Sequence, residues 1–264
     1  MTSSPFFINA RTVGAHGSTV VFLHGLFGQG RNFTQIAKGL EPDHRSVLVD
    51  LPNHGRSEWT EEFDYVTMAD LVADFLREDA AAEGPVHVVG HSMGGKVAMT
   101  LALRNPELVE RLVVVDISPV SAVRSMGTFD HLLGSLARLD LDRLEGRSDA
   151  DAKLRDDIPE DGTRGFLLQN LHSVDGAYRW RANLDLLHSS LPAIGAFPEF
   201  GGAQFDGPVL WVAGETSRYI KDEHRESMTS LFPRTRQLTV KGAGHWVHAD
   251  QPEVFVSALR RFLG

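Results

Sequence analysis

Three short segments of this chain concentrate residue types able to carry acyl-transfer chemistry. Gly90-His91-Ser92-Met93-Gly94 follows a valine-rich run at 86–89 and precedes a helical pattern opening near Lys96. In such a strand–turn–helix context a glycine-flanked serine sits in a strained turn. Its hydroxyl is exposed at a helix N-terminus, whose dipole favours developing negative charge. Outside that context the same pattern arises by chance and the serine would only cap the helix. A serine hydroxyl is a weak nucleophile until a base removes its proton. Among the twelve histidines, His245 stands apart: it lies in Gly242-Ala243-Gly244-His245-Trp246, between the last predicted strand and the final helix. It therefore comes last in a Ser…acid…His order. His248 is the runner-up base and reads better as a loop residue. The third segment, His24-Gly25-Leu26-Phe27-Gly28, follows a strand at 19–23. Backbone amides of Leu26 and Met93 are the candidate donors to a tetrahedral oxyanion. His24 reads as a brace for its loop rather than as a participant.

Side chains so far apart in sequence need a rigid frame. Apolar runs at 19–23, 46–51, 86–89, 112–117, 209–213 and 236–240 are continuous rather than alternating, as in parallel strands covered on both faces. Helical patterns at 68–82, 96–104 and Pro252–Leu263 fall between or after them. Such alternation predicts an α/β domain with a mostly parallel central sheet flanked by helices and right-handed crossovers. It fails between 119 and 206, where helical patterns at 129–139, 165–171 and 181–187 surround a charged stretch at 147–161 and no strand run interrupts. The expectation is one domain over 1–264, with a helical lid over 119–206 inserted before the penultimate strand, above the sheet edge where open α/β folds bind ligands.

Composition narrows the partners. The chain has 264 residues, 26 Lys and Arg against 35 Asp and Glu, and a formal net charge of -9. That balance argues against nucleic acid, whose phosphates require clustered basic residues. No cysteine is present, so disulfides, thiolate zinc sites and a thiol nucleophile are excluded. The first residues lack a basic start followed by a long apolar run, and no stretch is apolar for long enough to span a bilayer. The expectation is a cytoplasmic protein without stable membrane insertion, monomeric or dimeric, that needs no cofactor and no metal.

Taken together, His24-Gly25-Leu26-Phe27-Gly28, Asp50-Leu51-Pro52-Asn53-His54-Gly55-Arg56-Ser57, the elbow at 90–95 and the segment 242–246 resemble the α/β-hydrolase superfamily. Lys96, Val115-Asp116-Ile117-Ser118-Pro119 and Arg179-Trp180-Arg181-Ala182-Asn183-Leu184 narrow the resemblance to small bacterial acyl-ester and acyl-CoA esterases and their mitochondrial hydrolase-domain relatives. The resemblance implies the α/β-hydrolase fold and makes the loop carrying Asp50, Asn53 and His54 a structural turn rather than a metal set. It also exposes a departure. Most of the superfamily places the triad acid in a G-x-x-D turn after the strand corresponding to 209–213, whereas this chain reads Gly214-Glu215-Thr216-Ser217. The similar esterase branch uses an aspartate at the position of Asp116, at the end of the strand after the elbow. Glu215 and Asp222 are rival acids, and Ser217 is then a fourth member of the constellation. Phe27, Trp180 and Trp246 are candidate pocket residues. The expected reaction is hydrolysis of short- to medium-chain esters or thioesters through an acyl-enzyme on Ser92. An acyltransferase or perhydrolase using the same groups, carbon–carbon bond hydrolysis and a non-catalytic receptor are the alternatives.

Overall fold

The computed structural model describes residues 6–122 and 126–264; residues 123–125, inside the insertion, lie outside the described residues. Strands β1 (Ala10–Val13), β2 (Ser18–Leu23), β3 (His44–Val49), β4 (Val86–His91), β5 (Val109–Val115), β8 (Val209–Gly214) and β9 (Thr235–Val240) form one sheet in the order β1-β3-β2-β4-β5-β8-β9. Every pairing in it is parallel except β1 with β3. The six apolar runs of the sequence are the six parallel strands. The seventh, β1, is a polar antiparallel edge strand whose sequence, Ala-Arg-Thr-Val, carries no apolar run to announce it.

Alternate side chains divide the core between two faces, as the period-two geometry of a strand requires. Val21, Leu23, Val88, Val114 and Trp211 pack against α2 (Tyr65–Glu78) and α3 (Met93–Arg104). Val20, Phe22, Val89, Val113 and Val212 face α1 (Thr34–Leu40) and the C-terminal helix Pro252–Leu263. The apolar stripe of this C-terminal helix buries Phe255, Leu259 and Leu263. Helix α2 starts earlier than its apolar pattern because the Asp64 carboxylate caps it, accepting from the Thr67 N–H at 2.7 Å.

The segment between β5 and β8 holds α4 (Gly127–Ala137), α5 (Arg147–Leu154), α6 (Asp161–Leu168), α7 (Leu184–Ser189) and α8 (Leu191–Gly195). It also holds a two-stranded antiparallel hairpin, β6 (Leu171–Val174) with β7 (Ala177–Trp180). The hairpin corrects the expectation that no strand interrupts this mostly helical stretch. Its turn, Asp175-Gly176, has φ of 50° and 84° at the two central residues, as a tight hairpin turn requires. Its strands mix polar and charged residues with apolar ones, so no continuous run marked them.

Two anchors tie this insertion to the core. In one, the buried Lys96 ammonium donates to the carbonyls of Ile194, Gly195 and Ala196 at 3.2, 2.9 and 2.7 Å, closing the C-terminal end of α8. The Tyr65 hydroxyl donates to Ile194 O at 2.8 Å, and its ring lies under the ammonium. Burial pushes the Lys96 pKa down to about 8. In the other anchor, side-chain amides of Gln29 and Asn32 on the core meet Gln169 and Asn170 on the insertion.

Replacing Lys96 with Met removes these bonds and strands buried carbonyls, so unfolding free energy in urea should fall by about 2 kcal/mol at neutral pH. The folded-state pKa lies below the ordinary 10.5, so between pH 8 and 10.5 the unfolded chain binds the extra proton. The gap between the wild type and Lys96→Met should therefore widen as pH rises through that window. Parallel curves for the two proteins would refute the assignment.

Candidate active site

The turn between β4 and α3 is built on contacts that only glycine permits. A Cβ on Gly90 would lie 2.3 Å from Gly94 O, and one on Gly94 would lie 2.3 Å from Leu23 O. Squeezed between them, Ser92 adopts φ 54° and ψ -119°, a conformation that costs a non-glycine residue on the order of 1–3 kcal/mol. Its N–H donates to Val115 O at 3.0 Å, which fastens the turn to the end of β5. Asp116 follows directly, with φ 50°, and its own N–H donates to Val212 O at 2.8 Å.

Ser92 Oγ lies 3.0 Å from His245 Nε2, and His245 Nδ1 lies 2.8 Å from Asp116 Oδ2. The carboxylate fixes the proton on Nδ1 and leaves Nε2 free to accept from the serine. Asp116 is fully buried, yet both its oxygens are engaged: Oδ1 accepts from Gly214 N–H at 3.0 Å, and Oδ2 also accepts from the Ser217 hydroxyl. Ser217 thus reaches the carboxylate and not the imidazole. The rival acids stand elsewhere. Glu215 accepts from Gly242 N–H at 2.9 Å, bracing the loop that carries the histidine, and Asp222 opens a 3-10 turn at Asp222–His224.

Two contacts to His245 carry no sequence signal. Tyr219 stacks on it with ring centroids 4.2 Å apart. His91, inside the elbow, donates from Nε2 to His245 O at 2.8 Å, a bond that only the folded arrangement reveals. Burial, and then the neighbouring His245 and His248, hold the His91 pKa well below 6.5, so it stays neutral near neutral pH. His248 is pushed down to about 4, mainly by burial, and packs against Phe33 and His91. His24 accepts from Leu51 N–H at Nε2, 3.0 Å, which leaves the Nδ1 proton for Gly25 O at 2.8 Å; it braces the loop between β2 and α1. The Leu26 and Met93 amides donate to no acceptor among the described residues.

Ser92 opens into a cavity of about 190 Å³, lined from the core by Leu26, Phe27, Tyr219 and Trp246 and from the insertion by Phe129 and Phe166. A second cavity of about 570 Å³ adjoins it and shares Asn32, Thr163, Phe166, Trp246 and His248. Trp180 is not among these residues. It ends β7, pairs with Leu171 and lines a separate cleft with Trp59 and Leu139, which corrects its placement in the acyl pocket. The side chains of Asp50, Asn53 and His54 serve the turn itself. Asp50 accepts from Gly30 N–H and Arg56 N–H, Asn53 bonds Thr60, and His54 Nδ1 meets Pro52 O.

Residues 18–252 match the family described as "alpha/beta hydrolase fold". The chain belongs to this family. It is 40% identical over 249 residues to the sn-1-specific diacylglycerol lipase ABHD11 of Mus musculus, covering 92% of this chain and 80% of that one. It is 33% identical to esterase YbfF of Escherichia coli (strain K12), covering 94% of each. Among solved structures, a marine microorganism esterase superposes with a TM-score of 0.92 at 32% identity, covering 97% of this chain and 99% of the other.

Asp116→Asn should lower kcat by about 10³–10⁴ with an unchanged fold, because the imidazole loses the partner that sets its tautomer. Ser217→Ala, which removes one bond to that carboxylate, should lower it by roughly fivefold. Glu215→Gln should leave kcat within about twofold. Steady-state kinetics with circular dichroism decides: near-native turnover by Asp116→Asn would remove this residue from the site.

Proposed function

We propose that this α/β-hydrolase is a serine carboxylesterase acting on short- to medium-chain esters through an acyl-enzyme on Ser92. The observation that carries the reading is the unbroken relay Ser92–His245–Asp116 at the floor of an apolar cavity. Ser92 attacks the carbonyl while His245 takes its proton. The amides of Leu26 and Met93 receive the oxyanion, and the imidazolium returns the proton to the departing alcohol. Water enters on the same base and frees the acid. The esterase and lipase activities named for the relatives agree with this chemistry. No helix of the described residues is long and apolar enough to cross a membrane.

The insertion acts as a lid, since Phe129, Leu132, Thr163 and Phe166 come from it to roof the cavity. Among the described residues no lysine or arginine lines either cavity, and Glu160 and Asp250 stand at the larger one. This charge pattern favours an uncharged alcohol over the phosphate-bearing thiol of an acyl-CoA.

A chain-length series of p-nitrophenyl esters beside acyl-CoA thioesters tests the reading, with Ser92→Ala as control. Esters of short and medium acyl chains should be cleaved fastest, CoA thioesters at least tenfold more slowly in kcat/KM, and Ser92→Ala should retain less than about one part in a thousand of the activity. Preference for long acyl chains, or activity surviving in Ser92→Ala, would overturn it.

A further inference from the structure

The loop from Gly25 to Gly28 closes as a tight turn, with Gly28 N–H donating to Gly25 O at 2.9 Å. A turn with positive φ at its third residue ordinarily places glycine or asparagine there. Here Phe27 occupies that position, with φ 63° and a buried ring. The strain has to be opposed from outside, since nothing in a phenylalanine favours this conformation.

The opposing contacts come from the insertion. Asn170, buried just beyond the end of α6, donates from Nδ2 to Phe27 O at 2.8 Å, and Gln169 Nε2 donates to the same carbonyl at 3.3 Å. Asn170 is itself held in place. Its Nδ2 also donates to Leu167 O at 3.2 Å, and its Oδ1 accepts from Gln29 Nε2 at 3.0 Å. Its backbone carbonyl accepts from Arg181 N–H at 2.9 Å. Gln29 belongs to the core loop directly after Gly28. One fully bonded buried amide therefore grips the strained turn from two sides.

We propose that Asn170 is the positioning residue for the oxyanion donors: by holding the Phe27 carbonyl, it keeps the Leu26 amide aimed at the serine. This rests on the esterase reading above and extends it to a residue that touches neither substrate nor the Ser92–His245–Asp116 relay. Without the Asn170 donor, Phe27 relaxes toward negative φ, the Leu26–Phe27 peptide rotates, the turn closed by Gly28 N–H and Gly25 O loosens, and the Leu26 N–H is no longer held toward the oxyanion. The relay stays intact. The lid and the oxyanion loop are then one mechanical unit, and the site is complete only when the insertion is seated at Asn170.

Asn170→Asp and Asn170→Leu test this, with Asn170→His as the variant that restores a donor. The informative readout compares a p-nitrophenyl ester with its thionoester, whose C=S sulfur accepts hydrogen bonds poorly and gains little from oxyanion donors. For Asn170→Asp, kcat on the ester should fall by about 10–100-fold with KM within about threefold. The thionoester rate should fall by less than about fivefold, so that the ester-to-thionoester ratio collapses, and Asn170→His should recover part of it. Equal loss on both substrates, a loss confined to KM, or unchanged kcat in Asn170→Asp would each overturn the proposal. Should Asn170→Leu fail to fold, Asn170→Asp with its thermal midpoint measured alongside still decides. Wild-type enzyme left active by a fluorophosphonate would instead overturn the serine-esterase reading, and this proposal with it.

Discussion

Two adjacent parallel strands, β4 and β5, end side by side, and each turns immediately into a left-handed residue: Ser92 with φ 54° and Asp116 with φ 50°. Neither residue type favours that conformation, so the sheet must impose it. The Ser92 N–H is bonded to the last residue of β5, and the Asp116 N–H to β8, which locks the turns to neighbouring strands. With the hydroxyl and the carboxylate fixed to one rigid edge, a single imidazole placed between them completes a relay. The rest of the architecture supplies that imidazole and covers it.

Electrostatics around the relay are economical. Four histidines line the inner cavity, His24, His91, His245 and His248, and the fully buried Asp116 carboxylate bonds to one of them, His245. Burial lowers the pKa of His24, His91 and His248. The neutral rings then act as donors and packing surfaces. His91 holds the His245 backbone carbonyl, and His24 holds Leu51 and Gly25. In the proposed reaction, a charge created on His245 during attack would be met by a single anion already satisfied by Gly214 and Ser217. Stabilisation that is in place before the reaction begins needs no reorganisation when it occurs.

The sheet was legible because parallel strands buried on both faces must be continuous apolar runs, and all six such runs became strands. Polar elements had no comparable signal. Strand β1 and the β6–β7 hairpin mix charged and apolar residues, although Asp175-Gly176 was a readable turn signature. Ser92 and His245 could be nominated from glycine context, and Asp116 from its place at a strand end together with the resemblance to an esterase branch that has an aspartate there. Trp180 was misplaced because an aromatic residue in an insertion has no periodicity relating it to a distant cavity. Tyr219, the His91 donor and Asn170 stayed hidden for a related reason. Their contacts join segments 26, 154 and 143 residues apart, distances over which local patterns carry no information.

The anchoring of the insertion constrains how substrate can enter. Lys96 and Tyr65 pin its C-terminal end beside α3, and the amides of Gln29 and Asn32 pin residues 169 and 170 beside the turn from Gly25 to Gly28. A rigid swing of the whole insertion would break both anchors, strand buried polar groups and dismantle the turn at Phe27. The side-chain partition between the two cavities is cheaper to move. Phe166 and Trp246 stand there with ring centroids 5.9 Å apart, and Trp246 is 40% exposed. Rotation of exposed aromatic side chains takes place far faster than displacement of packed helices. Both rings line the two cavities, so a movement confined to them would leave both anchors and the Ser92–His245–Asp116 contacts in place.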